Sequence, residues 1–582
     1  MTDPEASDER LTPEALSGPV IDRRTTMTLL AGTGTGALAG CTGSSDGGSG
    51  DGGDGDGGDG GDGDGGDGGD GGDGDGSSTE GPTETPEPEQ MGGELTAGWF
   101  TGSVEVLDPP YISVGQYFQV AANIFNGLVT LKEDLTVRGD LASDWTVEND
   151  GATVAFDLRE GVQFHNGSEF TAEDVRYTIE RTITEETPAA SKLSTLKPLD
   201  QGGVEVNGDY SVTLTFEQPM APALIYLTRG PGRAATIVSQ DAVESMGADQ
   251  YSVAPVGTGP FQVESHDVGS EIVLTANEDY FETDENGNQL PYLDGLTVRP
   301  IPEAATIVNA LRSGDIDFAN LVPLQNLDQV TEASSVTASI APGVNWYGLA
   351  MNETRDTFGS VEARLGIAKS IDNEAFVESA YFGNALPDTG PINKATAWVW
   401  RDDKPSDQDY APEEAQQLIQ EAGIEGARFS ILVAQGNTRP AKAMRQQLNQ
   451  AGFEVELEQV TSATYWERYQ NLDYDVTISG SVGDPDPDQS LWNFYRLPDE
   501  GGVWNWVDYR NEEVHELLAE QRTQLDRDAR AETLRDIEDI LIAEAPSAYL
   551  IHQNDIAAYT DRVSGFTHIP FMRPFERVTV SE

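Results

Sequence analysis

Residues 412–457 read PEEAQQLIQEAGIEGARFSILVAQGNTRPAKAMRQQLNQAGFEVEL. A helical pattern opens at about Pro412 and stops near Gly423, and an apolar strand follows at Phe429 to Val433. A second helix from about Pro440 stops near Gly452 and hands over to Phe453-Glu454-Val455-Glu456-Leu457. Strands alternating with helices of about 10 to 12 residues predict βαβ units. Tyr474 to Ile478 reads as a further strand, and a long helical pair is expected near Glu512 to Glu544. Earlier in the chain the rhythm is period two. Val154, Phe156 and Leu158 alternate with Ala155 and Asp157, and Val212, Leu214 and Phe216 alternate with Thr213 and Thr215. Between them, Thr171-Ala172-Glu173-Asp174 forms a capping-box pattern before a helix with Val175 and Ile179 on one face. The fold class is α/β, without internal repeats.

The N-terminal region says where the protein works. The only cysteine, Cys41, closes Leu38-Ala39-Gly40-Cys41 behind Arg23-Arg24. Met27 to Ala39 is an apolar run of about 13 residues, too short to cross a hydrocarbon core of roughly 30 Å. Residues 1–40 resemble a twin-arginine export signal ending in a lipobox, with Cys41 as the lipidated residue. Residues 41–90 are almost wholly Gly and Asp, then Thr, Pro and Glu, and carry nothing that builds a core. They predict a disordered tether. Calcium-binding repeats of similar composition need an apolar residue in each repeat, which is absent here.

Acidic residues number 101 against 34 basic ones, a net charge of −67. Such a field repels nucleic acid and anionic lipid. The acids are scattered through every segment, a pattern that fits a surface adapted to molar salt, where the Debye length falls to about 3 Å. Lacking any cysteine after Cys41, the folded part depends on core size, and about 490 residues predict two lobes or more. His165, His266, His515, His552 and His568 show no metal-ligand spacing, so no metal and no cofactor is expected. No nucleophile elbow or Ser-His-Asp set is present, and no catalytic residues are assigned. Gly257-Thr258-Gly259-Pro260 lacks the Lys-Ser/Thr of a phosphate cradle and reads as a structural turn, and His165 reads as a turn or packing residue.

Several phrases together resemble extracellular solute-binding protein family 5, the peptide- and nickel-type receptors of ATP-binding-cassette importers. They are Phe125-Asn126-Gly127-Leu128-Val129, Leu141-Ala142-Ser143-Asp144-Trp145, and Leu158-Arg159-Glu160-Gly161-Val162 running on through Phe164-His165-Asn166-Gly167. Val256-Gly257-Thr258-Gly259-Pro260-Phe261, Pro291-Tyr292-Leu293-Asp294 and Ala310-Leu311-Arg312-Ser313-Gly314-Asp315-Ile316-Asp317 continue the match. The resemblance implies a two-lobed, periplasmic-binding-protein-like fold of type II, cluster C. Lobe I would span 91–345 with an extra subdomain at about 136–252, lobe II would span 346–553, and 554–582 would return to lobe I. Crossings are expected near Gly343 to Asn345 and near Asn554.

The resemblance also implies a site. Gly483-Asp484 followed by Asp486-Pro487-Asp488 matches the segment whose aspartate accepts the solute's α-ammonium in peptide-binding members. Asp484 is therefore the first candidate, with Asp486 behind it. Ser481 stands where peptide binders often carry tryptophan, and no arginine stands near Gln435, where dipeptide-type members hold the solute carboxylate. Arg439 is the nearest substitute. Trp398, Trp400, Trp504 and Trp506 are candidate aromatic walls.

The function expected is that of a monomeric, lipid-anchored receptor on the outer face of the membrane. It would capture a peptide-like solute and deliver it to a membrane permease. A non-transport sensory binding protein and a receptor for a sugar oligomer stay open. A secreted hydrolase would have to build its acid–base set from Asp484 to Asp488. Asn166-Gly167-Ser168 and Asn352-Glu353-Thr354 are glycosylation sequons.

Overall fold

The computed structural model describes residues 91–581 apart from Pro231, Gly436, Asn437, Val482, Asp484 and residues 501–503. The export signal with Arg23 and Arg24, the anchor Cys41, the tether and Asp484 lie outside the described residues.

The helix Pro412–Glu421 starts on a proline whose missing N–H costs nothing there, and Glu413 and Glu414 favour its positive N-terminal end. It buries Ala415 and Ile419. The strand Arg428–Ala434 follows, then the helix Thr438–Gln450, then the strand Glu454–Val460. Met444 and Leu448 are the buried anchors of that second helix, each contributing about 1.5 to 3 kcal/mol of burial. The two strands pair in parallel from Arg428↔Glu454 to Ala434↔Val460. They form one side of a six-stranded sheet that runs Ala385–Pro387, Ser547–Gln553, Trp346–Met351, Val476–Ser481, Arg428–Ala434, Glu454–Val460. This sheet carries the second lobe.

The first lobe is built on seven strands in the order Val336–Ala341, Asp555–Thr560, Phe318–Ala319, Glu94–Trp99, Gly295–Pro300, Glu271–Ala276 and Phe261–Asp267. Between Glu94–Trp99 and Phe261–Asp267 the chain makes a separate antiparallel sheet of four strands, Ala142–Glu148, Thr153–Leu158, Ser211–Thr215 and Val204–Gly208 in spatial order. The helix Ala172–Thr184 covers it, placing Val175 and Ile179 in one core with Val154, Phe156, Val212 and Leu214. Its capping box is formed: Thr171 N donates to Asp174 Oδ2 at 3.0 Å.

The chain passes from one large sheet to the other twice, between Ala341 and Trp346 and between Gln553 and Asp555. Both passages leave from matching edges. In the second lobe, the ends of Arg428–Ala434, Val476–Ser481 and Ser547–Gln553 meet the starts of Trp346–Met351 and Ala385–Pro387. In the first, the end of Val336–Ala341 lies beside the start of Asp555–Thr560. Open α/β sheets bind ligands outside the carboxyl ends of their strands, which here is the space between these two edges.

Candidate functional site

Asn345 holds the two crossings together. Its Nδ2 donates to Gln553 O at 2.8 Å, and its Oδ1 accepts from Gln553 N at 2.7 Å. Gly343 lets them approach, since a Cβ there would lie 2.1 Å from Gln553 O. Directly beside them runs the segment after strand Val476–Ser481. Gly483 sits at φ +87°, and a Cβ on it would fall 1.3 Å from Val344 O, so only glycine fits. Its N–H donates to Ser481 Oγ at 3.0 Å, and Ser481 Oγ lies 2.9 Å from Ser490 Oγ. Gly483 is thus held directly against the first crossing.

The next two acids of that stretch are matched internally. Asp486 caps the helix Pro487–Tyr495, accepting from Asp488 N at 2.9 Å. Both its oxygens also accept from Arg530, at 2.7 and 2.6 Å. Asp488, wholly buried, accepts from Arg522 at 2.8 Å on each oxygen and from Gln521 Nε2. Burial pushes its carboxyl up, but the Arg522 guanidinium outweighs that and holds it below the usual carboxylate range. These arginines come from the helices Glu512–Thr523 and Arg527–Glu544, the long pair expected from the sequence.

Asp488 also reaches across the lobes. The Tyr226 hydroxyl, on the first-lobe side, donates to its Oδ2, and both groups are buried. Beside it, Lys192 Nζ donates to Gln489 Oε1 and sits 4.8 Å from the Tyr226 ring centre. Ala221 N donates to Arg522 O at 2.6 Å. Nothing in the sequence marked Tyr226, because its partner lies 262 positions away.

Three of the proposed aromatic walls stand around this framework, half-buried. Trp398 covers Arg527 and Arg530, with guanidinium carbons 4.9 and 5.4 Å from its ring centre. Trp400 packs edge-on to His552 at 5.8 Å, with Lys404 Nζ 3.9 Å above its ring. Trp504 meets Phe494 at 5.6 Å, and Phe494 meets Trp346 at 5.2 Å. Trp506 belongs to an aromatic core with Trp466 and Tyr469. His552 itself is part of the crossing, 2.5 Å from Asn345 O and 2.6 Å from Asp388 Oδ2. Arg439 is not brought to the Gly483–Asp488 segment by any contact among the described residues. Its Nε donates to Ser379 O at 3.0 Å, and its guanidinium lies 3.5 Å from the Phe382 ring centre.

His165 clamps the Gly257–Pro260 turn. It accepts from Gly257 N at 3.3 Å on Nδ1, which leaves Nε2 to donate to Gly259 O at 3.0 Å. Burial lowers its pKa to about 4, so it is neutral at pH 7. A Cβ at Gly257 or Gly259 would run into Ile124. Among the described residues no group of His, Cys, Asp and Glu is placed to hold a metal, and no helix is long and apolar enough to cross a membrane.

Residues 136–502 match the family described as bacterial extracellular solute-binding proteins, family 5 Middle. The chain belongs to that family. Its family 5 relatives include the probable D,D-dipeptide-binding periplasmic protein DdpA of Escherichia coli, 26% identical over 484 residues, which cover 80% of this chain and 90% of that protein. The glutathione-binding protein GsiB of Salmonella typhimurium is 26% identical over 472 residues, covering 78% of this chain and 87% of that protein. The fold is shared with the ABC transporter-associated periplasmic binding protein DppA of Helicobacter pylori, solved with the peptide STSA. That likeness has a TM-score of 0.72 at 22% identity and covers 85% of this chain and 99% of that one. The family 5 relatives are solute-binding proteins, not enzymes.

Proposed function

We propose that this family 5 protein is the receptor of an ATP-binding-cassette importer, taking a peptide-like solute between its lobes and presenting it to a membrane permease. The observation that carries the reading is the setting of the Gly483–Asp488 segment. Gly483 lies against the first crossing at Val344, and the two later acids, Asp486 and Asp488, have guanidinium partners of their own. The role of accepting a solute ammonium therefore falls to Asp484, as a charge-assisted pair stronger than a neutral hydrogen bond. Asp486 supports that loop through Arg530 and does not face the solute in this reading. Trp398, Trp400 and Trp504 are the walls, and Arg439 is the group for a solute carboxylate. Dipeptide and glutathione binding by the relatives, and the peptide bound to the Helicobacter pylori protein, favour a peptide-like solute. Export through Arg23-Arg24 and lipidation at Cys41 would hold the receptor at the outer face of the membrane.

The test is Asp484→Asn, titrated with free-amine peptides and their N-acetylated counterparts. The variant is expected to weaken binding of the free amines at least tenfold and leave the acetylated forms nearly unchanged. Equal losses for both would remove Asp484 from the site. Native mass spectrometry of the receptor purified in high salt identifies the retained solute, and a sugar-sized adduct would overturn the peptide assignment.

A further inference from the structure

The two sequons have the same local geometry and opposite surroundings. In each, the asparagine Oδ1 accepts twice from the residue two positions on. Asn166 Oδ1 takes Ser168 N at 3.0 Å and Ser168 Oγ at 2.7 Å. Asn352 Oδ1 takes Thr354 N at 3.1 Å and Thr354 Oγ1 at 2.6 Å. The difference lies in Nδ2. Asn352 is fully buried, and its Nδ2 donates to Leu472 O at 2.9 Å and Tyr474 O at 2.8 Å. Asn166 is exposed, and among the described residues its Nδ2 donates to nothing.

The turn that carries Asn166 is rigid below and clear above. Gln163 and Glu169 bridge its base, Phe164 N donates to Ser168 O at 2.8 Å, and Gly167 N donates to Phe164 O at 2.8 Å. His165 pins it to Gly257 and Gly259. A Cβ at Gly167 would meet nothing within 4 Å, so the tip projects into open space. Among the described residues, the partners of the turn include neither Tyr226 nor Asp488.

We infer that Asn166 is an N-glycosylation site of the exported protein and that Asn352 is not. The donor would be a lipid-linked oligosaccharide phosphate supplied with a membrane transferase. Asn166 Nδ2 bonds to the anomeric carbon as that carbon's bond to the phosphate oxygen breaks. The lipid phosphate leaves with the electron pair, and Nδ2 gives one proton to a base of the transferase. The hydrogen bond from Ser168 to Oδ1 holds the amide for this attack, and the buried twin site cannot admit a transferase without unfolding.

Glycopeptide mass spectrometry on the protein purified from the cells that make it tests this independently of the solute. The peptide containing Asn166 should carry an oligosaccharide mass in the wild type and lose it in both Asn166→Gln and Ser168→Ala. The peptide containing Asn352 should be unmodified in all three. Thermal unfolding of the variants should match that of the enzymatically deglycosylated wild type, which separates lost modification from lost folding. An unmodified Asn166 in the wild type, sugar on Asn352, or sugar persisting in Ser168→Ala would each overturn the assignment.

Discussion

Tyr226→Phe removes one hydroxyl and keeps the ring that packs beneath Lys192. The lost bond runs to a buried, ionised carboxylate, and such bonds contribute about 1.5 to 3 kcal/mol. Asp488 keeps Arg522 and Gln521, so it is not left unpaired, and the low end of that range applies. The bond joins the lobes, so its loss disfavours the state in which they touch and acts on the closing equilibrium. About 1.5 kcal/mol is roughly a tenfold shift. Where closure is required for tight binding, the apparent Kd rises by about that factor, mostly through faster release. Titration calorimetry and stopped-flow release, with the solute recovered by native mass spectrometry, read this directly. Small-angle scattering at saturating solute should show a larger radius in the variant. An unchanged Kd and radius, with only a lower melting temperature, would refute the reasoning and leave Tyr226 a static packing residue.

Glu353 gives a pH signature. Burial, only partly offset by Arg364 at 3.3 Å, raises its pKa to about 7. A folded value above the unfolded one means a stabilising contribution present below about pH 4.5 and lost as pH rises through 7. Urea unfolding in molar salt should show the wild type losing up to about 3 kcal/mol between pH 5 and 8 that Glu353→Gln does not lose; parallel curves would count against it. Gly483→Ala forces a Cβ into Val344 O at positive φ and is expected to cost about 2 to 5 kcal/mol, read as a lower urea midpoint or loss of soluble protein. Arg439→Ala should weaken binding of peptides with free C-termini and spare amidated ones, measured by the same calorimetry; indifference to amidation rejects its role.

The βαβ rhythm of residues 412–457, the helical pair and the capping box were legible because each sits at a surface where polar and apolar faces alternate. Two adjoining inner strands of the second lobe were not. Trp346–Met351 is buried at every position and Ser547–Gln553 at all but its last, so neither shows a period. The site divides in the same way. The acidic segment stood out as a motif, whereas the arginines that match Asp486 and Asp488 lie 44 and 34 residues downstream on helices of ordinary composition. Asn345 and His552 owe their place at the crossings to strand order, which no local pattern encodes.

The clip made by Asn345 constrains motion as well as structure. Because one side chain binds the second crossing through both a donor and an acceptor, the two strands cannot slide past each other without breaking both bonds. Rotation of one lobe about this clip keeps both bonds, so it is the movement the clip favours. Closure by such a rotation would bring the same pair of surfaces together each time the lobes shut.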